Sequence, residues 1–164
     1  VQYVDRDGYA FLPYDQLKQN AARFLAKETE PEPISSEDLE TAARHEVLII
    51  EDEVAVNNTI RKILSRRGYQ VDQAFTKEEA LRKTEQIAYK IVLLDLKIPG
   101  VSGLELLRAI REKRPESMVI IITGYASIET AKETARLGAV AYLPKPFTPN
   151  EIREVTESAV QLAA

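Results

Sequence analysis

The sequence predicts an α/β protein, a doubly wound sheet of five parallel strands with helices on both faces, preceded by an N-terminal helical extension. Two observations lead there. Short continuous apolar runs alternate with segments whose apolar residues recur at helical spacing. Each apolar run also ends abruptly in polar residues or turn formers, as in Ile91–Gly100, where IVLL runs into DLKIPG. Alternation of this kind requires right-handed crossovers that cover both faces of a parallel sheet.

The length and composition limit the classes of protein that need to be considered. The chain has 164 residues, enough for one well-buried domain and an appendage. It has no cysteine, which excludes disulfides, thiolate metal sites and cysteine nucleophiles. No apolar run approaches the roughly 20 residues of a membrane-spanning helix, and the start does not look like a signal peptide. Because the sequence begins at Val1, we expect a fragment or a processed chain.

Charge is distributed unevenly along the chain. Residues 1–44 carry nine acidic and five basic side chains, whereas the remaining 120 residues carry 17 of each. The larger part therefore lacks the basic excess that nucleic-acid binding requires. We expect no direct contact with nucleic acid and none with a membrane.

The first 44 residues are predicted to form a separate extension, followed by a domain over residues 45–164. An amphipathic helix is expected from Pro13, and residues 28–33 (ETEPEP) look like an acidic, proline-containing linker. The apolar face of that helix would need a partner surface, either on the following domain, on a second copy or on another domain. Its residues are Tyr14, Leu17, Ala21, Phe24 and Leu25.

Strands are predicted wherever a short apolar run meets a polar end. The five predicted strands are Val47–Ile50, Gln70–Ala74, Ile91–Leu94, Met118–Ile122 and Ala141–Leu143.

Helices are predicted between the strands from apolar spacing and from capping signals. Thr76 with Glu79, Ser102 with Glu105, and Thr148 with Glu151 are capping boxes. Ser127 begins a further helix, in which Ile128, Ala131 and Ala135 are expected to face the core. The last helix is expected to bury Ile152, Val155, Ala159 and Leu162.

Chemically active residues follow the strands at one edge of the predicted sheet. In the flavodoxin-like order 2-1-3-4-5, strands one and three lie side by side at the switch point, where α/β proteins bind ligands. Glu51 and Asp52 end strand one, Asp95 follows strand three on a short loop, and Thr123 and Lys145 end strands four and five.

This combination suits phosphoryl transfer to an aspartate. Three converging carboxylates repel one another unless a cation joins them, and oxygen ligands without His or Cys favour Mg²⁺. Asp95 would be the nucleophile, with Lys145 and Thr123 binding the phosphoryl oxygens. Taken singly, each residue has an ordinary explanation: acids at a helix start, a strand-end hydroxyl, a solvated lysine. Together, four suitable strand ends in the right order make that explanation improbable.

The motifs VLIIEDE, LLDLKIPG, ITGYAS and YLPKPF resemble those of bacterial response-regulator receiver domains of the chemotaxis-regulator type. The resemblance covers residues 45–164. It implies that Glu51, Asp52, Asp95 and the Lys97 carbonyl bind Mg²⁺, that Asp95 is phosphorylated, and that Thr123 and Tyr142 form the switch. Glu51 departs from the commoner Asp. Lys97 and Tyr125 are implied to tune the lifetime of the phosphoryl group.

The resemblance also implies a function and partners. A sensor histidine kinase or a phosphotransfer protein would phosphorylate this cytoplasmic domain, which catalyses only its own phosphorylation and dephosphorylation. Homodimers through the helix 4–strand 5–helix 5 face or the N-terminal helix are expected. A receiver-shaped adaptor that works without phosphorylation is the alternative. A haloacid-dehalogenase-type phosphatase is disfavoured, since Lys97 stands where a second Asp is normal, and so is a self-phosphorylating kinase.

Overall fold

A computed structural model describes residues 46–163, which form one five-stranded parallel sheet covered by five helices. The strand order is β2-β1-β3-β4-β5, the flavodoxin-like order that the sequence predicts. The predicted extension, residues 1–44, lies outside the described residues, as does His45. The strands are β1 Glu46–Ile50, β2 Gln70–Ala74, β3 Ile91–Asp95, β4 Met118–Thr123 and β5 Ala141–Pro144.

Five helices connect and follow the strands. Within the described part of the chain, no helix is both long and apolar enough to span a membrane. The helices are α1 Val54–Ser65, α2 Lys77–Gln86, α3 Gly103–Lys113, α4 Ile128–Arg136 and α5 Pro149–Ala163.

The core explains why the central strands read as continuous apolar runs. All of β3, and β1 from Val47 onward, is buried on both faces by helices. The register brings the strand ends together, since Ile50 pairs with Leu94, Asp95 with Ile122, and Thr123 with Pro144. The sheet therefore places the residues that end β1, β3, β4 and β5 along a single edge.

The predicted caps are present with one variation. At α5 the box is reciprocal: the Glu151 N–H donates to Thr148 Oγ1 at 3.1 Å, and the Thr148 N–H donates to Glu151 Oε1 at 2.9 Å. At α2 the Thr76 hydroxyl accepts from the Glu79 N–H, but the Glu79 carboxylate accepts from the Phe75 N–H, one residue earlier than expected. Both arrangements satisfy main-chain donors that would otherwise lack helical partners.

Four sequence expectations about position are wrong. Asp95 is the last residue of β3 and not part of a loop. In α4, Thr134 is buried in place of Ala135, and its hydroxyl donates to the Ala131 carbonyl, which removes the cost of burying it. Ile128 and Leu162 are 38% and 47% exposed, because helical spacing identifies a face of a helix but not how far its neighbours extend.

Near the opposite end of the sheet, hydrogen bonds join Asp72, Tyr89 and Ser117. The Tyr89 hydroxyl donates to Asp72 Oδ2 at 2.6 Å, and the Ser117 hydroxyl donates to the Tyr89 carbonyl at 2.5 Å. Tyr89 and Ser117 are each 1% exposed. Burial first, and then the bond and charge of Asp72, raise the pKa of Tyr89 above the ordinary tyrosine value.

Candidate functional site

Three carboxylates converge at the carboxyl edge of the sheet. Glu51 and Asp52 directly follow β1, and Asp95 ends the neighbouring β3. One oxygen from each lies within 4.8 Å of the others. Glu51 and Asp95 are buried, whereas Asp52 is half-buried. The structure thus gathers the acidic residues that the sequence analysis singled out.

Lys145 joins two of these carboxylates from the far side of the site. Its Nζ lies 2.5 Å from Glu51 Oε1 and 3.4 Å from Asp95 Oδ2, and its side chain is 18% exposed. The peptide bond between Lys145 and Pro146 is cis, and the Lys145 N–H donates to the Thr123 carbonyl. The Lys145 ammonium group therefore lies between the carboxylates at the ends of β1 and β3.

The electrostatics of Glu51 reflect its burial. The pKa of Glu51 is raised to about 7: loss of hydration is the largest cause, the bonds from Lys145 and from the Glu53 N–H oppose it, and Asp95 adds to it. The Glu53 N–H donates to Glu51 Oε2 at 3.1 Å, so both carboxylate oxygens of Glu51 have partners. A divalent cation beside Glu51 would favour its ionised form.

The pKa of Lys145 is also raised, but by its charged neighbours and not by burial. Burial by itself lowers the pKa of Lys145, but the bond to Glu51 and the charges of Asp95 and Glu51 outweigh burial and raise it above the ordinary lysine value. Lys145 is therefore charged at neutral pH and offsets part of the negative charge of the acidic trio.

The loop after β3 donates a main-chain hydrogen bond to one carboxylate oxygen of Asp95. The Lys97 N–H donates to Asp95 Oδ1 at 3.0 Å, while Oδ2 faces Lys145. The Lys97 side chain is exposed, and its Nζ lies 5.6 Å from the centroid of the Tyr125 ring, a cation–π distance. Lys97 and Tyr125, which follow Asp95 and Thr123 by two residues each, thus contact one another at the rim of the site.

The two residues expected to form a switch lie close in the fold. Thr123 is fully buried at the end of β4, and its Oγ1 accepts from the Tyr125 N–H at 3.1 Å. Tyr142, on the adjacent β5, is fully buried, and its hydroxyl accepts from the Ser127 N–H at 3.3 Å. The Tyr142 ring is therefore inside the protein in this conformation, bonded to the residue that caps α4.

Sequence reasoning missed Asn57, which is fully buried on α1 and donates to the carbonyls of Glu51 and Ala74. A signal was present, because Asn57 falls at helical spacing with Ile60 and Leu64 and so lies on an apolar stripe. A polar residue on such a stripe needs buried partners.

The donor set fits magnesium. The acidic trio offers only oxygen ligands, and two of its members are buried side by side, where their mutual repulsion favours a bound cation. A partly solvated Asp52 leaves room for the waters that Mg²⁺ keeps.

An α/β protein with an acidic trio, a hydroxyl and a lysine along one sheet edge belongs to a recognisable class, and comparison with known proteins defines it. The family model for the response regulator receiver domain matches residues 47–157. The chain belongs to this family, as the sequence motifs indicated.

Curated relatives differ in how much of their length this chain spans. Sporulation initiation phosphotransferase F of Bacillus subtilis is 32% identical over 71% of this chain and 94% of the relative. Photosynthetic apparatus regulatory protein RegA of Rhodobacter capsulatus is 31% identical over 69% of this chain but only 61% of its own length. Some relatives therefore consist almost entirely of the shared domain, and others extend well beyond it.

Solved structures agree on the fold. A CheY-like receiver domain protein from Methanospirillum hungatei is 34% identical with a TM-score of 0.69, covering 72% of this chain and 94% of that one. A response regulator from Burkholderia pseudomallei, 33% identical with a TM-score of 0.65, covers 71% of this chain and 69% of that one. The Burkholderia structure contains a phosphorylated aspartic acid, a calcium ion and citrate.

Proposed function

We propose that Asp95 accepts a phosphoryl group in a Mg²⁺-dependent reaction, and that this reaction switches a protein-binding face of the domain. The donor is a phosphohistidine of a sensor histidine kinase or of a phosphotransfer protein. The observation that carries the proposal is the buried Asp95 carboxylate, which has oxygens of two further acids within 4.8 Å and Lys145 Nζ at 3.4 Å. That arrangement serves a carboxylate that must meet both a cation and an anionic group.

The residues take separate roles in the proposed transfer. Asp95 Oδ2 forms the new bond to phosphorus as the donor's nitrogen–phosphorus bond breaks, and the histidine nitrogen keeps the electron pair and takes up a proton. Glu51, Asp52, Asp95 and the Lys97 carbonyl would hold Mg²⁺, which neutralises the charge of the transferring group. Lys145 and the Thr123 hydroxyl bind its oxygens. The chain thereby catalyses only its own phosphorylation and dephosphorylation.

Phosphorylation would reach the surface through Thr123 and Tyr142. The Thr123 hydroxyl accepts from the Tyr125 N–H in this conformation and would donate its own proton to a phosphoryl oxygen, which draws Thr123 towards Asp95. The Tyr142 ring then fills the vacated space, and α4 follows because Tyr142 bonds its capping residue, Ser127. The two conformations pre-exist, and phosphorylation shifts their populations by its differential contacts.

The face formed by α4, β5 and α5 is the proposed output surface, for a partner protein or a second copy of the domain. Tyr125, in the loop before α4, and Ile128, the first residue of α4, are 71% and 38% exposed, which supports a contact there that is partly apolar. Residues 45–164 would carry this activity, and residues 1–44 a separate extension with its own packing partner.

Labelling with a small phosphodonor tests the proposal. Wild-type protein incubated with acetyl phosphate should gain one phosphoryl mass when Mg²⁺ is present and none when Mg²⁺ is chelated. Beryllofluoride with Mg²⁺ should shift the amide resonances of Thr123, Tyr142 and α4. If the wild type gains no mass and shows no shift, phosphoacceptor function is rejected, and the phosphorylation-independent adaptor is the reading that remains.

A further inference from the structure

We propose that Asn57 is a positioning residue for the metal site: it fixes the peptide group between Glu51 and Asp52 and so aims that acidic pair at Asp95. This inference rests on the proposed function, since it assigns the chain a way to shape its own Mg²⁺ site. Asn57 does not belong to the acidic trio, and no sequence motif pointed to it.

The Asn57 side chain contacts both the segment that carries the acids and the end of β2. Its side chain is fully buried, and Nδ2 donates to the Glu51 carbonyl at 2.9 Å and to the Ala74 carbonyl at 3.3 Å. Its main-chain N–H donates to the Glu53 carbonyl at 2.9 Å. The main-chain bond belongs to the first turn of α1, whereas the side-chain bonds are specific to Asn57 and tie the Glu51 carbonyl to the end of β2.

Those bonds fix the position from which the Asp52 side chain extends, because a peptide group is planar. The Glu51 N–H donates to the Ala74 carbonyl at 3.1 Å, so both main-chain polar groups of Glu51 are held. The Glu51 carbonyl shares its plane with the Asp52 nitrogen and Cα. Fixing that carbonyl therefore fixes the place from which the Asp52 side chain starts.

A second layer holds the Asn57 amide in the required orientation. Gln73 Nε2 donates to Asn57 Oδ1 at 3.0 Å and to Asn58 Oδ1 at 2.7 Å. Since Oδ1 is occupied by a donor, the Nδ2 group must face the two carbonyls. Lys83 Nζ donates to the Gln73 carbonyl, which extends the network to α2.

A purely structural role would account for burial but not for the choice of partners. An apolar side chain at residue 57 would continue the stripe of Ile60 and Leu64 and would avoid burying an amide. Asn57 instead donates to the Glu51 carbonyl, in the peptide group of the acidic pair, and to the Ala74 carbonyl. Residues that orient metal ligands without binding the metal themselves usually contribute about 10- to 100-fold to metal affinity.

Substitution of Asn57 separates positioning from stability. We expect Asn57→Ala to raise the Mg²⁺ dissociation constant about tenfold, measured by MgCl₂ titration of amide resonances. Phosphorylation by acetyl phosphate should need correspondingly more Mg²⁺, while its rate at saturating Mg²⁺ stays within about threefold of wild type, because Asp95 and Lys145 are untouched. The matched control is Ser117→Ala, which removes a buried hydrogen bond at the opposite end of the sheet and should leave the dissociation constant within about twofold.

Each outcome bears on the inference. It is overturned if Asn57→Ala binds Mg²⁺ like wild type, or if Ser117→Ala loses as much affinity for the same loss of melting temperature. If Asn57→Ala does not fold, Gln73→Ala takes its place, and unchanged Mg²⁺ affinity there counts equally against the inference. Wild-type protein that binds no Mg²⁺ overturns the proposed function, and this inference with it, whereas failure confined to the variants overturns the inference alone.

Discussion

Lys145 balances two buried or nearly buried carboxylates, which no neutral side chain could do. It lies 2.5 Å from Glu51 and 3.4 Å from Asp95, and both acids have almost no contact with solvent. Removing one partner of such a group leaves uncompensated charge, and this usually costs more than the intact pair contributes. Without metal, Lys145 should therefore be needed for stability as well as for binding a phosphoryl group.

Replacement of Lys145 by alanine should destabilise the metal-free protein by about 3 kcal/mol, measured by urea unfolding in chelator. Mg²⁺ should restore part of the loss, because it supplies positive charge to the same carboxylates. Lys132→Ala, at an exposed position of α4, should change stability by less than about 0.5 kcal/mol. A Lys145→Ala protein as stable as wild type in chelator would refute the charge-balancing role.

Tyr89 gives the fold a dependence on alkaline pH. Its pKa is raised in the folded protein, first by burial and then by Asp72, whereas an unfolded tyrosine titrates near about 10. The folded state thus keeps a proton that the unfolded state loses. The stabilisation is complete below about pH 10 and is lost as pH rises towards the folded pKa.

We expect the free energy of unfolding to fall with increasing pH above about 10, measured by urea unfolding at closely spaced pH values. Tyr89→Phe should make that fall shallower. It should not remove the fall, because burial also raises the pKa of Tyr69. An identical slope in Tyr89→Phe and wild type would show that Tyr89 does not contribute.

At the scale of elements, α3 begins in close contact with the loop that follows Asp95. A Cβ added to Gly103 would lie 2.5 Å from the Leu96 carbonyl oxygen and 2.7 Å from the Leu96 Cα, both backbone atoms. Glycine is thus required where α3 packs against the segment that follows Asp95. Gly124, after β4, has no such neighbour within 4 Å of an added Cβ.

Gly103→Ala should lower stability by about 1–3 kcal/mol, because backbone has to move to admit the methyl group. It should also weaken Mg²⁺ binding, since the Leu96–Lys97 segment moves with it. Gly124→Ala is the matched control and should unfold within about 0.5 kcal/mol of wild type. Thermal and urea unfolding of the two variants provide the comparison, and equal stabilities would contradict the packing argument.

The elements were predictable from sequence to the extent that local signals determine them. The runs from Val47 and from Ile91 are strands because they are buried on both faces, and the Thr148 and Ser102 caps mark helix starts in the sequence itself. In α4 the inward position of Ala131 was predicted, but that of Thr134 was not, because Thr134 is buried by making its own hydrogen bond to the helix. The burial of Asn57 could have been predicted from its place on an apolar stripe, but its partners could not, because the main-chain carbonyls of Glu51 and Ala74 leave no sequence pattern.

At the scale of the whole molecule, the site joins elements that are distant in sequence. Glu51 and Lys145 lie 94 residues apart and come within hydrogen-bonding distance because β1 and β5 end at the same sheet edge. The clustering of strand-end residues was predictable from topology alone. The distances were not, since they depend on side-chain conformations set by burial.

Mg²⁺ should stabilise the whole domain, because a ligand that binds only the folded state adds RT ln(1 + [L]/Kd), about 2.7 kcal/mol at a hundredfold excess over Kd. We expect the melting temperature of wild type to rise with MgCl₂ concentration. The rise should be much smaller in Asp52→Asn, which removes one carboxylate of the trio. An equal rise in both proteins would place the stabilising ion elsewhere.

Residues 1–44 are predicted to pack on the receiver domain or on a second chain through the apolar stripe that includes Tyr14, Phe24 and Leu25. Deleting residues 1–33 should therefore change the melting temperature or the mass measured by light scattering, because exposed apolar side chains either stabilise the domain or bring copies together. No change in either quantity would count against a packed helix.

Locating the phosphoryl group tests the central claim most directly. After treatment with acetyl phosphate and Mg²⁺, reduction with borohydride converts an aspartyl phosphate to homoserine with release of phosphate, and peptide mass spectrometry then identifies the residue. Homoserine should appear at residue 95 in the wild type, and Asp95→Asn should give none at any residue. Homoserine at another residue, or undiminished labelling of Asp95→Asn, would contradict the account.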